Sequence, residues 1–123
     1  MARSATRSAS VCGRTVTRSR RITWATGYDG GPFFSPDGRR IVFRGFREPR
    51  GRAAEIYVVG SDGSGERQLT NLGAVSWAPI FHPDGKRILF NTNWKAQSHK
   101  DYDLWLMNDD GSGLERVTFA PGF

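Results

Sequence analysis

Apolar positions along this chain fall in short runs separated by Gly, Pro, Asp and Ser, and the runs recur. Ile41-Val42-Phe43 returns as Ile88-Leu89-Phe90, and Ile56-Tyr57-Val58-Val59 as Leu104-Trp105-Leu106-Met107. The polar positions between them recur too. Pro32-Phe33-Phe34-Ser35-Pro36-Asp37-Gly38 matches Pro79-Ile80-Phe81-His82-Pro83-Asp84-Gly85 at an offset of 47. Asp62-Gly63-Ser64-Gly65 through Thr70 matches Asp110-Gly111-Ser112-Gly113 through Thr118 at an offset of 48. The runs carry β-branched and aromatic residues, which suit a pleated surface.

Each unit reads as four short strands. An apolar stub (Pro32 to Phe34, or Pro79 to Phe81) enters a Pro-Asp-Gly turn, where Pro presets φ and Gly supplies the positive φ of a three-residue hairpin with a bulge. The second strand is Arg40 to Arg44 or Arg87 to Thr92, and the third Glu55 to Val59 or Asp103 to Met107. A Gly-rich turn leads to the fourth, Arg67 to Thr70 or Glu115 to Thr118. Ile41 and Phe43 point opposite to Val42, and Ile56 and Val58 opposite to Tyr57 and Val59. Strands apolar on both faces need cover on both faces, as in a blade stacked between two others. The expected fold is all-β: a partial β-propeller of two four-stranded antiparallel blades plus terminal stubs.

The Ser-Pro-Asp-Gly-Arg-Arg-Ile-Val-Phe and Glu-Ile-Tyr-Val strings, with the Asp-Gly-Ser-Gly turn and Arg67-Gln68-Leu69-Thr70, resemble the WD40-like repeats (PD40) of the TolB-like β-propeller family. That resemblance covers roughly residues 20 to 123. It implies one blade per repeat, a ring that binds a protein or peptide, and a periplasmic or otherwise extracytoplasmic setting. Similar blades form the non-catalytic propellers of prolyl-oligopeptidase-like and tricorn-like serine peptidases, which is the alternative expectation. His82 stands where the family has the Ser kept at Ser35, and a shared turn-capping role is expected of it.

Arg20-Arg21-Ile22-Thr23 matches Arg67-Gln68-Leu69-Thr70, and Phe119 to Phe123 matches Trp24 to Tyr28. The expected organisation is therefore 1–19 as a disordered basic tail and 20–31 as the last strand of a preceding blade with its lead-in. Residues 32–70 form blade one, 71–118 blade two, and 119–123 the stub of a third. A blade face left in water would expose on the order of 500 Å² of apolar surface, worth about 12 kcal/mol. That rivals the ~5–15 kcal/mol stability of a whole domain. Two expectations follow: a fragment of a longer propeller, or copies that close a ring as a homo-oligomer.

The net charge of +6 comes entirely from the first 21 residues, where six Arg meet no acid before Asp29. Beyond them 12 basic residues balance 12 acidic ones. The tail reads as disorder or a misplaced start; it lacks the amphipathic pattern of a transit peptide and the apolar stretch of a secretory signal. Scattered arginines without interleaved aromatics do not make a nucleic-acid module. No run approaches the ~18 apolar residues of a membrane span, and the lone Cys12 leaves the redox compartment open.

No catalytic, cofactor or metal constellation is expected. The Gly-Ser pairs lie in hairpin turns and not in a nucleophile elbow, and His82 and His99 lack partners at metal-ligand spacing. Surfaces remain. By resemblance, Tyr28, Asp29, Trp77 and His82 lie near the partner-binding mouth of the channel, though these aromatics equally suit packing between blades. The loops from Phe46 to Ala54 and from Trp94 to Asp101 offer Arg47 and Trp94 as Arg-and-aromatic contacts.

Overall fold

The computed structural model describes residues 19–48 and 51–119, so most of the basic tail and the last residues of the third stub lie outside the described residues. Strands β1 (Asp29–Phe34), β2 (Arg40–Gly45), β3 (Glu55–Gly60) and β4 (Arg67–Gln68) form one antiparallel sheet in sequence order. β5 (Ser76–Phe81), β6 (Arg87–Thr92), β7 (Asp103–Asn108) and β8 (Glu115–Arg116) form a second. These sheets are the two expected blades.

The two faces divide as the pattern requires. Val42, Ile56, Val58 and Leu69 of the first sheet pack on Phe81, Ile88, Phe90, Trp105 and Met107 of the second. On its other face, Ile41, Phe43, Tyr57 and Val59 gather around Ile22, with the Phe43 and Tyr57 rings stacked at 5.7 Å. Turns also seal the stack. The Gly111 Cα lies so close to the Leu69 carbonyl that a side chain there would collide with it, and a Cβ at Gly63 would meet the Ile22 carbonyl at 3.1 Å. Ile22 thus sits on blade one as Leu69 sits on blade two. Across the stack Arg40 bonds Asp109 at 2.8 Å and the Gly85 carbonyl at 3.0 Å.

Some local expectations change. Residues 20–23 pair with no strand among the described residues. The first strand of each sheet starts earlier than Pro32 or Pro79, because a bulge carries it past an irregular step between Gly30 and Phe33, or between Trp77 and Ile80. The left-handed residue of that bulge is Gly31 (φ 61) in one blade and Ala78 (φ 50) in the other. The fourth strands end at Gln68 and Arg116, not at Thr70 and Thr118. There the amides of Leu69 and Thr70 both turn onto the Ile56 carbonyl. The Pro-Asp-Gly turn is also one residue longer than a three-residue hairpin: Ser35 N–H donates to Arg40 O, leaving Pro36 to Arg39 between them. Asp37 holds the extra residue by accepting from the Ser35 hydroxyl at 2.6 Å and the Arg39 amide at 3.0 Å.

The same device recurs in the other turns. Hydrogen bonds from the Ser35, Ser64 and Ser112 hydroxyls hold the carboxyls of Asp37, Asp62 and Asp110 below their ordinary value, and the Lys86 amide does so for Asp84.

Two predictions follow from the turns and bulges. Ala78→Gly raises stability by up to about 1 kcal/mol in a denaturant melt, while Gly31→Ala, which meets nothing within 4 Å, lowers it similarly through backbone conformation alone. Because the four turn carboxyls titrate lower in the folded chain, their stabilisation is complete above the unfolded pKa near ~4. It is lost as pH falls through the lowered folded values. The denaturant midpoint therefore drops between about pH 5 and pH 2, and drops less in a variant with all four changed to Asn.

Candidate functional site

The β2–β3 and β6–β7 loops and the connections into β1 and β5 all lie at one end of the stack, since β1 pairs Asp29 with Gly45 and β3 pairs Glu55 with Gly45. The Asp-Gly turns lie at the other end. This separates the candidates. Tyr28, Asp29, Arg47, Trp77 and Trp94 belong to the loop end, whereas His82 belongs to the turn end, where Phe81 pairs with Ile88. Grouping His82 with the mouth residues is therefore corrected: it follows a strand that runs away from the mouth. Its capping role holds in altered form, with Nδ1 accepting from the Asp84 amide at 3.1 Å while Ser35 Oγ accepts from the Arg40 amide at 3.0 Å.

At the loop end Asp29 is buried and ion-paired with Arg47, which also covers the Tyr57 ring at 4.3 Å. Burial pushes the Tyr57 phenol up, and the Arg47 charge works against that. Gly45 makes room for the ion pair, because a Cβ there would meet Arg47 Nη1 at 2.6 Å and Asp29 Oδ1 at 2.9 Å. Blade two fills the matching positions with Ser76 and Thr92, whose hydroxyls bond at 3.0 Å. Asp29 is thus tied up with Arg47, and its Oδ2 has no hydrogen-bond partner among the described residues.

Trp77 packs on Tyr102 with ring centroids 5.5 Å apart. The Arg44 guanidinium lies between Trp77 (5.0 Å) and the half-exposed Tyr28 (5.5 Å). Sequence reasoning missed Arg44 and Tyr102. Arg44 occupies an inward-facing β2 position, two residues after Val42, and a charge there was the available signal. Trp94 leans on Trp105 at 4.8 Å, under Lys95 at 4.4 Å. Beside it a groove of about 900 Å³ is lined by Glu48, Arg52, Leu72, Lys95, His99 and Tyr102, among others.

A second missed element is an acid–threonine lock in each blade. Thr70 Oγ1 donates to Glu55 at 2.5 Å and accepts from the Ile56 amide at 2.9 Å, while Glu55 also accepts from the amides of Leu72 and Gly73 at 2.8 Å. Thr118 repeats this with Asp103 at 2.8 Å and the Leu104 amide at 2.9 Å, and Arg116 joins Asp103 at 2.5 Å. Among the described residues no group of three or more His, Cys, Asp and Glu is placed to hold a metal ion, and no helix is long and apolar enough to cross a membrane.

Repeated four-stranded antiparallel sheets stacked face to face, each stitched through its lead-in to the next, are the blades of a β-propeller. No protein-family model matches the sequence. Among solved structures, the chain is similar to a protein of Agrobacterium tumefaciens assigned as TolB, with 30% identity, 80% of this chain and 36% of that one covered, and a TM-score of 0.67. It is similar to TolB from Acinetobacter baumannii at 25% identity, covering 83% of this chain and 24% of that one, with a TM-score of 0.67. It shares its fold with the β-propeller domain of the Trilobed protease from Pyrococcus furiosus (14% identity, 81% and 30% covered, TM-score 0.54). The chain is a partial β-propeller of the TolB-like kind, and it spans 36% and 24% of the two TolB proteins it resembles.

The buried ion pair yields a prediction. Arg47→Ala strands the Asp29 carboxylate and costs about 3–5 kcal/mol in a denaturant melt. Adding Asp29→Ser and Gly45→Thr, which copies the hydroxyl pair of blade two, recovers most of that loss.

Proposed function

We propose that this chain is a non-catalytic, TolB-like propeller module that binds a protein or peptide segment at its loop end. The observation that carries the reading is the groove between the β2–β3 and β6–β7 loops. Its walls join aromatic surface from Trp94 and Tyr102 to the cations Arg52 and Lys95, with Glu48 as the acid among its lining residues. Arg and aromatic side chains around a concave apolar strip are the composition of interface hot spots. The charge balance favours an extended segment that carries Asp or Glu beside an apolar anchor. The TolB-like resemblance supports an extracytoplasmic setting, with the two blades working as part of a larger ring.

A second reading has its own support in the likeness to the propeller domain of a protease: these blades would belong to the non-catalytic propeller of a serine peptidase. It would be favoured by a Ser, Asp and His triad encoded in frame with these blades.

The binding reading is tested by selecting peptides from a displayed library on the chain. Selected peptides are enriched in Asp and Glu, and lose at least about tenfold in affinity on an Arg52→Glu, Lys95→Glu variant. Binders indifferent to that charge reversal would remove the groove from consideration.

A further inference from the structure

Thr23 is 1% exposed, and its Oγ1 has no hydrogen-bond partner among the described residues. Its counterparts by repeat, Thr70 and Thr118, each bond a carboxylate and a strand-three amide. Thr23 is therefore half of a lock. The rest of that half is already formed. Arg21 Nε donates to the Thr23 carbonyl at 2.7 Å, as Arg116 Nε does to the Thr118 carbonyl at 3.1 Å. The Arg21 guanidinium covers Trp24 at 4.5 Å, as that of Arg116 covers Phe119 at 5.0 Å. Arg116 completes its arrangement on Asp103, whereas Arg21 has no carboxylate partner among the described residues. Residues 1–28 contain no Asp or Glu, so the preceding part of this sequence cannot supply one.

The complementary surface is on blade two. Val42, Ile56, Val58 and Leu69 of blade one are buried, but their counterparts on the outward face of blade two are open, with Leu104 38% and Val117 47% exposed and Leu89 and Leu106 half-buried. The strand that edges this face, β8, is short: Trp105 pairs with Arg116 and Leu106 with Glu115, the Val117 and Thr118 amides follow onto the Leu104 carbonyl, and the lock closes its end.

We propose that copies of this chain join head to tail by strand exchange: the Arg21–Trp24 segment of one copy replaces the Arg116–Phe119 segment of the next. Thr23 and Arg21 then close on the partner's Asp103. Ile22 stands where the displaced Val117 stood, and blade one of the first copy covers the open face of the partner's blade two. The new contact repeats the one already present between blades one and two, where Leu69 and Thr70 edge the first sheet and Gly111 closes on Leu69. The occupant is a second copy because it carries both halves: an empty Arg-Ile-Thr-aromatic segment and an acid-headed third strand whose own edge has nearly the same sequence. This goes beyond the peptide-binding reading and does not depend on it: the exchanged segment edges the outward face of blade two, while the groove lies between the two loops, and Lys95 borders both.

The test is the concentration dependence of solution mass by sedimentation for the full chain and three variants. The wild-type chain associates reversibly. Thr23→Val, which keeps the shape and removes the hydroxyl, weakens association about tenfold, and Thr23→Ser restores it. Thr118→Val acts in the opposite direction and strengthens association by a similar factor, because it weakens the resident competitor for Asp103. A mere loss of fold would weaken association in both Val variants alike. A monomer at all concentrations in wild type and Thr118→Val, or an unchanged mass in Thr23→Val, would overturn the proposal. Peptide binding at the groove, measured on the same samples, separates this outcome from failure of the binding reading.

Discussion

Two strands in each sheet are apolar on both sides, and that constraint governs the rest of the molecule. Val42 and Phe43 are adjacent, point in opposite directions and are both fully buried. No single sheet can hide both. Cover has to arrive from both sides: blade two covers Val42, and the segment that carries Ile22 covers Phe43. The hydrophobic contribution is non-directional, however, and alone would let one sheet slide over the other. The acid–threonine locks remove that freedom. Glu55 bonds Thr70, just past its own fourth strand, and also two amides of the connection into the next sheet. A parallel bridge between Ala54 and Val75 continues the seam. One carboxylate thus couples pairing within a blade to placement between blades.

Around this shared frame the two blades solve an identical position with different chemistry. Where blade two uses two hydroxyls, Ser76 and Thr92, blade one uses a buried carboxylate, a missing side chain at Gly45 and an arginine returning from the loop. The hydroxyl pair ties two strands together. The ion pair adds the start of the β2–β3 loop, since Arg47 follows the strand and lies over Tyr57. Replacing a local bond by a charged one thereby makes the loop of blade one part of the core. The loop of blade two stays attached through Asn93, which accepts from the Val75 amide and donates to the His99 carbonyl.

Much of this was legible in the residues. The repeat gave the strands, and the runs Ile41-Val42-Phe43 and Ile56 to Val59 gave both faces of each sheet, because side chains alternate strictly along a strand. The site was read less well. His82 was assigned to the wrong end, since closeness to a first strand in sequence does not say toward which end that strand runs. Asp29 read as an exposed contact because its partner Arg47 lies 18 positions away and depends on the absent side chain of Gly45. Arg44 was overlooked because its guanidinium is accommodated by Tyr28 and Trp77, from two different blades. The locks were missed for a related reason: Thr70 and Glu55 look like ordinary polar ends of strands until the fourth strand is seen to stop short.

The step from an offset of 47 to one of 48 places one additional residue between Phe90 and Asp103, in the loop joining β6 and β7. Length has therefore changed between the two repeats at the loop end, while the Asp-Gly turns at the opposite end keep theirs. The paired strands on either side keep their register through the change, with Gly45 facing Glu55 in one blade and Thr92 facing Asp103 in the other. Chain length at the loop end is thereby independent of strand register, and the turn end, where Arg40 faces Gly60 and Arg87 faces Asn108, is the part the two repeats hold in common.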